Sequence, residues 1–146
     1  MLYNHEINLR TTEERIRNSK ICEANKQLIF EYESYCFAEG LKIARVLKHL
    51  YELKILAELF GKEFNLASKQ DVMRVVGFIE RMDRAESTKR DYKILIRKFF
   101  RWMNKDDAIA WMKIPTRNDT RKLPEDMLSE EEIEKLIKTV AYNCNS

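Results

Sequence analysis

Along most of this chain the apolar residues recur at three- and four-residue spacing, a period that predicts helices separated by short polar breaks. The sharpest case is residues 87–105, S-T-K-R-D-Y-K-I-L-I-R-K-F-F-R-W-M-N-K. At about 100° per residue, Tyr92, Ile96, Phe99 and Met103 share a narrow arc, flanked by Leu95 and Trp102 on one side and Phe100 on the other. Arg90, Lys93, Arg97 and Arg101 fall on the opposite arc, and Lys98 and Lys105 continue it. The pattern predicts a helix with one face in a core and the other strongly basic, capped at its start by Ser87 or Thr88.

The other elements follow the same logic. Thr11-Thr12-Glu13-Glu14 has the form of a capping box, so a helix is expected to start there. Its early turns are polar, its apolar positions are Ile21, Ala24, Leu28, Tyr32, Tyr35 and Cys36, and Gly40 is its natural stop. Residues 41–60 are the most apolar segment, with Leu47, Leu50, Leu53, Ile55, Leu56 and Leu59; they predict a central helix ended by Gly61. Ser68 caps a third helix carrying Val72, Val75, Val76, Ile79 and Met82. Past Asp106 the period fails, and 115–128, with two prolines, reads as a linker. Trp111, Met112 and Ile114 are expected to fold back on the helices before it. Ser129-Glu130-Glu131-Glu132 then opens a last amphipathic helix with Ile133, Leu136, Ile137 and Val140.

Three glycines and two prolines in 146 residues leave few sites for the tight turns that sheets need, so composition also favours an all-α fold. The net charge of +3 hides an asymmetry: residues 1–122 hold 25 basic and 18 acidic side chains, whereas 123–146 hold 2 and 6. Cys22, Cys36 and Cys144 have no metal-ligand spacing and read as ordinary intracellular thiols. There is no leader-like N-terminus and no run approaching the roughly 18 apolar residues of a membrane span. A soluble cytoplasmic protein without a membrane partner is the expectation.

Catalytic patterns are missing. His5 and His49 belong to no zinc motif, the glycines form no phosphate-cradling loop, and no nucleophile elbow is present. No carboxylate pair stands in the apolar surroundings that would drive two pKa values apart. Neither a cofactor, a metal nor a small-molecule substrate is therefore expected. What remains is charge. On residues 87–105 seven Lys/Arg face a single acid, Asp91, whereas a merely solvated face would mix signs at i,i+4. The arrangement points to a polyanion, nucleic acid before membrane. The first half of residues 41–60 carries Lys42, Arg45, Lys48 and His49, of which Lys42, Arg45 and His49 fall on one side at i, i+3, i+7 spacing as a second, weaker basic face, with His49 read as a partly exposed surface residue.

In order and spacing these elements resemble the tyrosine recombinases, or phage-type integrases, in their N-terminal core-binding domain. The resemblance covers about residues 20–140. It is carried by Ser87, Thr88, Leu95, Phe99, Phe100 and Trp102, similar to the S-x-T…L-x-x-F-[FY]-x-W closing helix, and by K-L-P-E-D-M-L-S-E-E-E-I at 122–133, similar to the start of the catalytic domain. It implies a four-helix, SAM-like orthogonal bundle with a C-terminal linker and an extra amphipathic helix. The corresponding divisions are a polar extension or helix start at 1–19, a core-binding domain at 20–114, a linker at 115–128 and the beginning of a catalytic domain at 129–146. It also implies that the second and fourth helices face duplex DNA. That assigns Lys42, Arg45 and Lys48 from one, and Ser87, Thr88, Lys89, Arg90, Lys93, Arg97 and Arg101 from the other, with other recombinase protomers as further partners on DNA. The family's H-x-x-R motif is not here: His5 is followed by E-I-N and His49 by L-Y-E. Binding without strand cleavage is the expected activity.

Two rival readings use the same residues. Residues 72–82 and 88–103 could form the helix-turn-helix of a dimeric transcription regulator. Alternatively, the acidic helix at 130–140 could serve as the docking element of a protein-interaction module without nucleic acid.

Overall fold

The computed structural model of the chain describes residues 2–114, so the predicted linker at 115–128 and the helix after it lie outside the described residues. Among the described residues six α-helices occur in the order α1 (Leu2–Arg17), α2 (Glu23–Ala38), α3 (Ile43–Phe60), α4 (Lys69–Arg81), α5 (Glu86–Trp102) and α6 (Asp106–Ile109), with a 3-10 turn at Phe64–Leu66. No strand occurs among the described residues, and the all-α expectation holds. Met1–Met112 form one compact unit.

The single helix expected from Thr11 to Gly40 is two helices. Thr11 and Glu14 lie inside α1, where their backbone is already helical, so no capping box forms there. Leu9, Thr12 and Ile16, at 8, 2 and 0% exposure, make the stripe that seats α1 on α3. With only two apolar members it is too sparse to show as a hydrophobic period. The break comes at Ser19, whose hydroxyl donates to the Ile16 carbonyl at 2.6 Å and closes the last turn. In α2 the buried line is Asn25, Ile29, Tyr32 and Cys36, one position round from the predicted Ala24, Leu28 and Tyr35. Asn25 explains the rotation: its amide donates to the Lys62 carbonyl at 2.9 Å and accepts from the Phe64 amide at 2.8 Å, tying α2 to the α3–α4 connection.

The most apolar segment is indeed central, since α3 touches α1, α2, α4 and α5. Val46, Leu50, Leu53, Leu56 and Phe60 are at most 2% exposed. Burying each such side chain contributes about 1.5–3 kcal/mol before entropy is counted. Ile55, counted with the core from sequence, is 39% exposed instead. From α5, Tyr92, Leu95, Ile96, Phe99 and Phe100 are buried as their spacing predicts. Phe99 meets the edges of Tyr32 and Phe64 at 5.1 and 4.9 Å, and Phe100 stacks on Phe60 at 5.6 Å. Met112 is buried and Trp111 half-buried, its indole N–H donating to the Ala108 carbonyl at 2.7 Å, so this segment does fold back.

Helix ends show which terminators are local and which are not. Gly40 (φ 91°) closes α2 in a Schellman motif, its amide donating to Phe37 and that of Leu41 to Cys36. Asn104 (φ 61°) does the same for α5. Ser68 is the N-cap of α4 as predicted and forms a capping box with Asp71, and the Ser68 amide together with Lys62 holds the Asp71 carboxyl down to about 2. Ser87 and Thr88, by contrast, do not cap α5: the helix starts earlier, with Ala85 at the N-cap and no side-chain bond. Three helices have their last carbonyls capped by a cation from the next long helix. Lys26 donates to Arg17 O at 2.6 Å, Arg74 to Leu59 O and Phe60 O at 3.2 and 3.0 Å, and Lys89 to Glu80 O at 2.8 Å. Positive charge at a helix C-terminus also suits the macrodipole.

Candidate functional site

An ion pair joins the two basic segments. Lys48 of α3 donates to Asp91 Oδ2 of α5 at 2.5 Å, across 43 residues of sequence. Asp91, which with Glu86 is one of the two acids of α5, thus pairs with α3 at a junction that the Phe60–Phe100 stack also holds. Lys48 is correspondingly paired.

The ten residues assigned from sequence then divide. Lys42 at the N-cap of α3, Arg45 on α3 and Arg101 on α5 are exposed, and Arg90 and Arg97 are half-buried. Lys98, outside the assigned set, is exposed beside them. None of these six has an acidic partner within 4 Å among the described residues. Ser87 is exposed and Thr88 half-buried in the first turn of α5. Lys89 and Lys93 are used differently. Lys89 is 9% exposed, with its ammonium on the Glu80 carbonyl and 3.5 Å from Glu86, and Lys93 reaches Glu80 Oε1 at 3.3 Å. Both lie on the flank of α5 that meets α4, so the structure employs them in holding two helices together. Lys105 is engaged too, donating to the Asn65 carbonyl at 2.8 Å. Of the seven Lys/Arg that made this helix conspicuous, four remain available at its outward side.

His49 is not the surface residue that its sequence neighbours suggest. Its side chain is 12% exposed, its ring centroid lies 6.3 Å from that of Tyr32, and its Nδ1 stands 3.9 Å from Glu52 Oε1. It sits one turn from Val46 and Leu53, on the margin of the buried stripe of α3.

Beside Lys98 and Arg101 the surface opens into a cavity of about 410 Å³. Tyr32, Tyr35 and Trp102 supply aromatic walls, and His49 and Glu39 complete its polar lining. Tyr35 is 42% exposed and Trp102 half-buried, their ring centroids 6.2 Å apart at 41°. Interaction with the Glu39 carboxylate raises the pKa of the Tyr35 hydroxyl. Sequence reasoning assigned Tyr35 and Trp102 to the core because they share a period with buried neighbours; only the packing reveals how far they emerge.

One further pair departs from expectation. Burial, and then the neighbouring Glu13 carboxyl, push Glu33 up to about 8, with Arg17 acting in the opposite direction. Glu33 is 8% exposed and its Oε2 has no partner among the described residues. A carboxyl pair with a strongly shifted pKa thus exists where none was expected, brought together by the antecedent fold of α1 against the bundle.

No protein-family model matches the chain, and neither a curated protein nor a solved structure does.

Proposed function

We propose that this chain is a duplex-DNA-binding module of the tyrosine-recombinase kind, gripping the phosphate backbone with the outward sides of α3 and α5. The observation that carries the reading is that two basic helices, bridged by Lys48–Asp91, lie in contact while Lys42, Arg45, Arg90, Arg97, Lys98 and Arg101 stay without acidic partners among the described residues. Like charges gathered on adjacent elements repel one another, and a bound polyanion relieves that repulsion as the side chains displace the counterions condensed on its phosphates. In this reading the guanidinium groups of Arg90, Arg97 and Arg101 take phosphate oxygens, for which their planar fork is suited. Lys42, Arg45 and Lys98 extend the same track, and the exposed hydroxyl of Ser87 adds a neutral donor. Lys48, Lys89 and Lys93 act as positioning residues.

The four residues joining α4 to α5 also suit a helix-turn-helix, in which α5 would enter the major groove and the protein would act as a dimer. Fluorescence anisotropy with a labelled duplex of arbitrary sequence, together with sedimentation of the protein alone, separates the readings. Binding at low salt by a monomer is expected. A stable dimer selective for a palindrome favours the repressor, and no binding at 50 mM salt overturns both.

A further inference from the structure

The geometry points to the cavity between Tyr35, Trp102, Lys98 and Arg101 as a subsite for one unpaired nucleotide of a DNA strand held on the adjoining basic surface. This assignment rests on the DNA reading above and adds to it a second mode of recognition.

A paired base offers neither of its faces to a protein, because both are stacked in the duplex. An unpaired base offers a π-face, a polar edge and an adjacent phosphate, and the cavity matches those three properties separately. The face is met by Tyr35, an aromatic ring left 42% exposed, and by the half-buried indole of Trp102 at 6.2 Å from it. Trp102 is held in place from behind, stacked on Phe99 at 5.6 Å and edge-on to Tyr32 at 5.3 Å, so it forms a preorganised wall. The phosphate is met by Lys98 and Arg101, one turn apart on α5 and both without acidic partners within 4 Å among the described residues. The polar edge is met by His49 and Glu39, which also line the cavity. Its volume of about 410 Å³ lies within the usual range for small-ligand sites, about 300–1,000 Å³. Stacking of bases on aromatic side chains beside a cationic groove is the general physical basis of single-strand recognition, and it tolerates any base. Arg101 belongs both to this cavity and to the outward face of α5, so a nucleotide displaced from a duplex bound on that face has only a short way to travel.

The test uses the full chain carrying Trp111→Phe, which leaves Trp102 as the sole tryptophan, and three labelled duplexes. One is fully paired, one has a single extra thymidine, and one has an abasic residue in place of that thymidine. The bulged thymidine is expected to raise affinity about tenfold over the paired duplex and to quench Trp102, and the abasic bulge is expected to do neither. Tyr35→Leu should remove most of the gain and Tyr35→Phe keep it, while both bind the paired duplex equally. Equal affinity for all three duplexes refutes the subsite and leaves duplex binding standing. Failure to bind any of them refutes both. Quenching by free thymidine monophosphate with an affinity within threefold of that for the bulged duplex overturns the strand-bound assignment in favour of a free nucleotide.

Discussion

Two sides of α5 carry the same residue types and do different work. On the side toward α4, Lys89 caps the end of α4 through the Glu80 carbonyl and Lys93 meets the Glu80 carboxylate. On the outward side Arg90, Arg97, Lys98 and Arg101 have no acidic partner within 4 Å among the described residues. The difference shows that a basic helix cannot be converted into a binding surface by counting its charges. A long aliphatic stem lets lysine lie along apolar surface and deliver its ammonium to a buried carbonyl, so part of the charge serves the fold. The N-terminal helices show a third fate of charge, in which Glu33 is neutralised by burial beside Glu13.

The largest expected effect comes from reversing the outward side. Arg90→Glu with Arg97→Glu should weaken duplex binding at least about 100-fold at 50 mM salt, by anisotropy, since two phosphate contacts become repulsions. Stability should change by no more than about 0.5 kcal/mol in urea, as for other surface substitutions. Retained binding would mean that phosphates meet another face.

On the α4 side the outcome should invert. Lys89→Met leaves the Glu80 carbonyl without its donor and should cost about 1–3 kcal/mol of stability. Duplex affinity, measured where the variant is folded, should stay within about twofold.

The neutralised carboxyl gives a pH signature of known sign. The folded pKa of Glu33, about 8, lies above its ordinary 4.5, so the folded state binds the proton more tightly. Its contribution is complete below 4.5 and is lost as pH rises through 8, a decline of about 1–3 kcal/mol after allowing for relaxation of the site. Glu33→Gln should flatten the urea-derived stability profile between these values and make the protein more stable than wild type at pH 8.5. Asp71 does not interfere, because its folded pKa of about 2 places its loss in acid. An unchanged profile in Glu33→Gln would show that this carboxyl titrates normally.

The smallest effect is reserved for Ser87→Ala. Since Ser87 makes no cap bond, thermal unfolding should be nearly unmoved, and binding should weaken less than about threefold if its hydroxyl touches a phosphate. A loss of 1 kcal/mol or more would restore it as a cap, the size expected of a lost N-cap residue.

These contrasts also mark how far the fold could be read from sequence. α3, α4 and α5 were legible because each buries a dense stripe at helical spacing, and Gly40, Gly61 and the Ser68–Asp71 box punctuate them through local chemistry. The split between α1 and α2 was not, because Leu9, Thr12 and Ile16 carry too little apolar signal and the break depends on one serine hydroxyl. The basic surface was legible as charge on two helices. Its composition was not, because the contacts that separate structural from available cations, Lys48–Asp91 across 43 residues and Lys89 to a carbonyl on α4, are tertiary. His49 and the Glu13–Glu33 pair escaped for the same reason: burial of a polar residue is decided by neighbours distant in sequence.

The central claim, that the outward cations and not the capping ones meet phosphates, is tested most directly by the salt dependence of duplex binding in three proteins. Wild type should show log K falling with log salt at a slope of roughly −4 to −5, as about five phosphates are neutralised. Arg90→Gln with Arg97→Gln should make the slope shallower by about 2, and Lys89→Met should leave it unchanged. A flat wild-type response, or an equal loss of slope in Lys89→Met, would contradict the account.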